Sequence, residues 1–203
     1  MSRLQQNPWE QPSTGGAADL AAALQAALPQ LETARLILRA PRIEDFDTYA
    51  AIMMSERAAF MGGPMSRRDA WLDFTQVIAT WHLHGHGLWS VTTKADNALV
   101  GFVLLGMEYD NREPELGYFF LEEAEGQGFA TEAALAARAH GETLALPSLV
   151  SYIVPANARS VRLALRIGAT PDTQAAEQLS ETVGEDVLVL RHWAPTPAVD
   201  GGA

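Results

Sequence analysis

Residues 125–140 read EGQGFATEAALAARAH, a loop with two glycines in three positions that runs into an alanine-rich helical stretch. Glycine costs about 1 kcal/mol relative to alanine inside a helix, so two glycines at a helix entrance need a reason. A tight turn supplies one, because glycine tolerates positive φ. A bound anion supplies another, since the first helical turn offers unpaired N–H groups and the positive end of the macrodipole. The G-x-G alone leaves both readings open.

Working outward from that loop, helical and extended patterns alternate. Upstream, ARLILRA (34–40) reads as a strand with Leu36 and Leu38 on one side, and IEDFDTYAAIMMS (43–55) reads as a helix. A second helix starts at Ser66, an N-cap completed by Asp69, and carries Ala70, Phe74, Val77, Ile78 and Trp81 at helical spacing. GLWSVTT and ALVGFVLLGME flank the turn residues KADN and form a hairpin, with EPELGYFFL (113–121) as the next strand. Downstream come a helix over about 130–145, the strand SLVSYIV (148–154), a helix after Asn157, and a late strand DVLVLRHW (186–193). The order β-α-α-β-β-β-α-β-α-β predicts an α/β chain with a mixed sheet covered by helices.

A chain of 203 residues suffices for one sizeable core. Residues 1–30 read as a leader with a short accessory helix, 31–195 as the main domain and 196–203 as a flexible tail. The accessory helix, AADLAAALQAALPQ, stops near Pro29 and carries Leu20, Leu24, Leu28 and Leu31 on one face. That face is expected to pack on the body or on a second copy, so a homodimer is possible. The absence of cysteine excludes disulfides, thiolate metal sites and a cysteine nucleophile. A reducing cytoplasm fits that composition. No apolar run approaches the roughly 20 residues of a membrane span, and the first residues lack an apolar signal core. Neither a membrane nor export is therefore expected. The net charge of −11 disfavours direct nucleic-acid binding; it suits a cationic, amine-bearing partner, and it suits still better an acidic surface that simply keeps the chain soluble. HLHGHG (82–87) offers three histidines without a matching carboxylate, so no metal is expected.

Four pieces of the chain, TARLILRAPRIEDFDTY, ELGYFFLEEAEGQGFATEAA, VPANARSVRLALRIGA and their order, resemble the GNAT superfamily of N-acetyltransferases. Within it they resemble the branch that acetylates the N-termini of ribosomal proteins, over about residues 33–193. The resemblance implies a largely antiparallel sheet splayed around an acyl-CoA slot, with helices on both faces. It implies acetyl-CoA as co-substrate and an amine as acceptor. Gly126, Gln127, Gly128, Phe129, Ala130 and Thr131 would then hold the diphosphate through their main-chain N–H groups. Phe119, Phe120 and Leu121 would face the pantetheine, and an N–H near Phe120 would polarise the thioester carbonyl. Glu115 would act as the base, on one strand face with Gly117 and Phe119, with Glu108 a weaker substitute. Many superfamily members carry a tyrosine acid on the last helix. Ala164 aligns there and that donor is absent. The branch resembled uses an asparagine followed three residues later by a serine, which Asn157 and Ser160 match, so the resemblance implies Asn157 on the pantetheine arm and Ser160 as the acid. Glu125 departs from the pattern, which has Arg, Gln or an aromatic at that position. A carboxylate there repels a diphosphate. A non-catalytic acyl-CoA sensor is the rival reading. A dinucleotide oxidoreductase fits poorly, because the glycines follow several strands and no G-x-G-x-x-G is present.

Overall fold

A computed structural model describes residues 7–194. The elements are α1 (Gly16–Ala27), β1 (Leu31–Glu32), β2 (Leu36–Arg39), α2 (Phe46–Met53), α3 (Arg67–His84), β3 (Leu88–Thr93), β4 (Leu99–Gly106), β5 (Glu115–Phe120), α4 (Phe129–Thr143), β6 (Leu149–Ile153), α5 (Ala158–Arg166), β7 (Thr170–Pro171), α6 (Thr173–Val183) and β8 (Leu188–Trp193). The strands form one eight-stranded sheet in the order β1-β2-β3-β4-β5-β6-β8-β7. Every neighbouring pair is antiparallel except β5 and β6.

Strand alternation divides the hydrophobic residues between two layers. Leu36, Leu38, Trp89, Val91, Val103, Leu105, Leu116 and Phe120 pack on one face against Phe129, Ala133, Ala134 and Ala137 of α4. Leu88, Phe102 and Leu104 turn to the other face, against Phe46, Tyr49 and Ile52 of α2 and Phe74 and Val77 of α3. The run of alanines on α4 therefore brings that helix close to the sheet. Helix α3 begins as its sequence dictates. Ser66 Oγ accepts from Asp69 N at 3.1 Å, and the helix ends at Gly85, whose φ is +74°. The hairpin turn closes with Thr93 N donating to Ala98 O at 3.0 Å.

Two regions differ from the sequence reading. Helix α6 was not anticipated, yet it is bounded by Asp172, whose Oδ1 accepts from Ala175 N, and by Gly184 at φ +75°. Helix α1 forms, but its leucines are divided. Leu28 and Leu31 pack against the core, while Leu20 and Leu24 stay 62% and 46% exposed. The reason is that the chain reaches the sheet only as it enters β1. Within the leader, Glu10 is buried and paired with Arg67 Nε at 2.9 Å. The tail 196–203 lies outside the described residues. Among the described residues no helix is long and apolar enough to cross a membrane.

Candidate active site

The sheet opens between β5 and β6. These strands pair at a single point, Glu115 with Val150, where Val150 N donates to Pro114 O at 3.0 Å. Beyond it side chains replace the ladder. Ser151 Oγ donates to Leu116 O at 2.7 Å, and the Tyr118 hydroxyl donates to Ser160 O at 3.0 Å on α5. Burial pushes the His192 imidazole down to about 4, helped by Arg138. The neutral ring lies 3.2 Å from Ser151 Oγ through Nε2, which lets its N–H donate there. Leu121 N donates to Val100 O on the β4 side, so antiparallel alternation turns the peptide groups of Tyr118 and Phe120 toward the gap. A cleft of about 1160 Å³ occupies this opening and runs from the glycine loop to the β5 origin.

The glycine loop forms one end. Gly126 and Gly128 have φ of +73° and +79°, and Gly128 is the N-cap of α4 without any side-chain cap. A side chain at Gly126 would meet nothing within 4 Å, so backbone conformation and not crowding requires glycine there. The first turn of α4 thus presents its N–H groups beside Ala130 and Thr131, which line the cleft. The loop is fastened from behind. Glu132 accepts from Thr33 Oγ1 at 2.6 Å and Arg35 N at 2.9 Å, and Arg35 Nη1 donates to Gln127 O at 2.9 Å. Arg57, Arg159, Arg162 and Arg166 surround this end.

The other end is acidic. Tyr49, Asp73, Glu108 and Glu115 line it together with Met53, Phe60 and Met61. Burial and the nearby Glu108 charge push Glu115 up to about 7, against a 3.3 Å hydrogen bond from Asn111 Nδ2. Burial raises Glu108 as well, followed by repulsion from Asp73. Asp73 is raised by burial and accepts from the Tyr49 hydroxyl at 2.5 Å. Beside Glu115 the wall is bare, because a Cβ at Gly117 would come within 2.6 Å of Leu104. A carboxyl near neutrality facing an open cleft is suited to accept a proton.

A sequence model of the acetyltransferase (GNAT) domain matches residues 35–170. The chain belongs to the GNAT acetyltransferases. A crystal structure of an acetyltransferase from Agrobacterium tumefaciens is 36% identical, covers 82% of this chain and 95% of its own, and superposes with a TM-score of 0.75. A structure described as a ribosomal-protein-serine acetyltransferase from Vibrio cholerae shares the fold at 23% identity, with coverages of 82% and 98% and a TM-score of 0.61. RimL, a ribosomal L7/L12 α-N-protein acetyltransferase solved in complex with coenzyme A, does so at 16% identity, with coverages of 82% and 98% and a TM-score of 0.64.

Within this GNAT fold the residues singled out in the sequence fall into three groups. Glu115, Gly126, Gly128, Phe129, Ala130, Thr131, Asn157 and Ser160 all line the cleft. Asn157 also caps α5, its Oδ1 accepting from Ser160 N at 3.2 Å. Phe119 and Phe120 border the cleft, but their rings belong to the two cores. Phe119 packs 5.3 Å from both Tyr49 and Phe102, and Phe120 is buried on the α4 side. What β5 offers to the slot is therefore main chain. Leu121 and Gln127 lie outside the lining. Leu121 packs between the cores, and Gln127 Nε2 donates to Glu123 O at 2.9 Å. Ala164 is fully buried. Sequence reasoning missed Arg57, Asp73, Ser151 and Tyr118. Only Tyr118 carried a signal, since alternation places it with Leu116 and Phe120 on the α4 side.

Proposed function

We propose that this GNAT acetyltransferase moves an acetyl group from acetyl-CoA to a primary amine, a protein N-terminus or a small-molecule amine, by direct attack on the thioester. The observation that carries this reading is one continuous cleft with main-chain donors and arginines at one end and a raised carboxyl, Glu115, at the other. Acetyl-CoA supplies the activated acyl group, and coenzyme A bound in the related RimL fold agrees with that choice.

The N–H groups from Gly126 to Thr131 hold the diphosphate, as an uncapped helix start favours. The gap-facing peptide groups of Tyr118 and Phe120, in place of the Phe119–Leu121 run expected from the sequence, guide the pantetheine like an added strand, and the N–H near Phe120 stabilises oxyanion charge. Asn157 bonds the pantetheine arm. An amine attacks only when unprotonated, so Glu115 takes its proton directly or through water as the C–N bond forms and the C–S bond breaks. Ser160 relays a proton to the leaving thiolate and is reprotonated from water, while Glu115 returns its proton to solvent. The acidic acceptor end supports a cationic amine, since Asp73, Glu108 and Glu115 line it and, among the described residues, no basic side chain forms an ion pair with any of them. An acceptor screen with acetyl-CoA, reading released thiol against peptides, polyamines and aminoglycosides, tests the proposal. Turnover with at least one amine class is expected. Failure of every class while the cofactor still binds replaces the enzyme with the acyl-CoA sensor.

A further inference from the structure

Glu125 stands at the entrance of the glycine loop, where a carboxylate opposes the approach of a diphosphate. In the fold its Oε1 is shared by two cations from opposite walls of the cleft. Arg57 Nη2 pairs with it from the segment between α2 and α3, and Arg159 Nη1 reaches it at 2.5 Å from α5. Arg57 is itself anchored, because the same Nη2 donates to Phe120 O at 3.0 Å on the slot edge of β5. The side chains of Arg57 and Glu125 are 30% and 36% exposed, so water screens this contact only in part. The Arg57 guanidinium, and then Arg159, hold the Glu125 carboxyl below the usual carboxylate range against a small cost of burial.

We propose that Arg57 and Arg159 pin and neutralise the Glu125 carboxylate, so that it no longer opposes the coenzyme A diphosphate at the loop entrance. This rests on the reading that the loop binds coenzyme A, and it assigns the two arginines as positioning residues that act through Glu125. The consequence is a specific energetic coupling. Without Arg57, the carboxylate is left with only the largely exposed Arg159, and repulsion toward the ligand returns. Without the carboxylate, loss of Arg57 matters little.

A double-mutant cycle read by calorimetric titration of coenzyme A into the full chain tests this. Arg57→Ala is expected to weaken binding roughly three- to tenfold, the range of a partly screened charge pair, and less at high ionic strength. Glu125→Gln is expected to bind at least as tightly as the unaltered chain, and the double variant within about twofold of Glu125→Gln. Equal losses from Arg57→Ala in both backgrounds, or weaker binding by Glu125→Gln, overturn the proposal. Arg159→Ala runs the same cycle from a side chain 72% exposed, where the fold is not at risk. The coupling must persist with 3′-dephospho-coenzyme A. Its disappearance moves the effect to the 3′-phosphate and also overturns the proposal. An unaltered chain that binds no coenzyme A defeats the underlying reading instead.

Discussion

Glu115 links burial to chemistry most directly. A base works when deprotonated, and burial with Glu108 repulsion raises this carboxyl to about 7, so kcat/KM should climb with pH through that value. Glu115→Gln should lower kcat about 100- to 1000-fold and abolish that acid limb, while calorimetry finds coenzyme A affinity within about twofold. A retained limb would assign the ionisation to another group, Glu108 first. Asp73 is expected to act on the acceptor, because it meets Tyr49 at the far end of the cleft. Asp73→Asn should raise the amine KM several-fold with kcat nearly unchanged, and steady-state kinetics with varied amine checks the split. Glu115 was legible because a strand motif carries it. Asp73 and Arg57 were not, since each meets its partner at the cleft from a distant segment, 24 residues away for Asp73 and Tyr49 and 68 for Arg57 and Glu125.

At the level of elements, the account turns on the opening between β5 and β6 and on the entrance of α4. Ser151→Ala removes the hydroxyl that satisfies the buried Leu116 carbonyl. Denaturant titration should find about 1–3 kcal/mol of lost stability, and the KM for acetyl-CoA should rise as the slot loses its fixed width. Gly128→Ala meets no clash, the nearest atom being Arg35 Nη2 at 3.5 Å, but it forces a side chain into φ +79°. The cost should be about 1–2 kcal/mol, with weaker coenzyme A binding. Most elements were legible because their periods and caps agree, as with Ser66 and Asp69 on α3. Helix α6 was overlooked although Asp172 and Gly184 bracket it. Ala176, Leu179 and Val183 follow helical spacing there, but they make only a short stripe and none of its residues is buried, unlike the long stripe that reveals α3.

Across the whole molecule, ion pairs tie remote segments to the core. Arg67 joins Glu10 of the leader to α3, and Arg191 on β8 joins Glu113 before β5 to Asp172 before α6. The hydrogen bond from Arg67, against burial, lowers Glu10 from 4.5 to about 2. A depressed carboxyl stabilises the fold fully above its unfolded value and loses that contribution as pH falls toward its folded value. Glu10→Gln should therefore destabilise the chain at neutral pH, with the difference from the unaltered chain shrinking from pH 4.5 to about 2. Thermal unfolding across that range checks it. The buried carboxylate of Glu10 is not legible in the polar composition of the leader for the same physical reason as Arg57, since its partner Arg67 lies far along the chain. In a chain of net charge −11 the arginines that line the cleft near the glycine loop are a local exception, of the sign that suits the proposed diphosphate. Parallel calorimetric titrations of acetyl-CoA and acetyl-pantetheine into the full chain test the central claim, that this loop grips a diphosphate. Saturable one-to-one binding of acetyl-CoA, at least about tenfold tighter than the fragment lacking diphosphate and nucleotide, is predicted. Equal affinity for the two, or no binding of either, would contradict it.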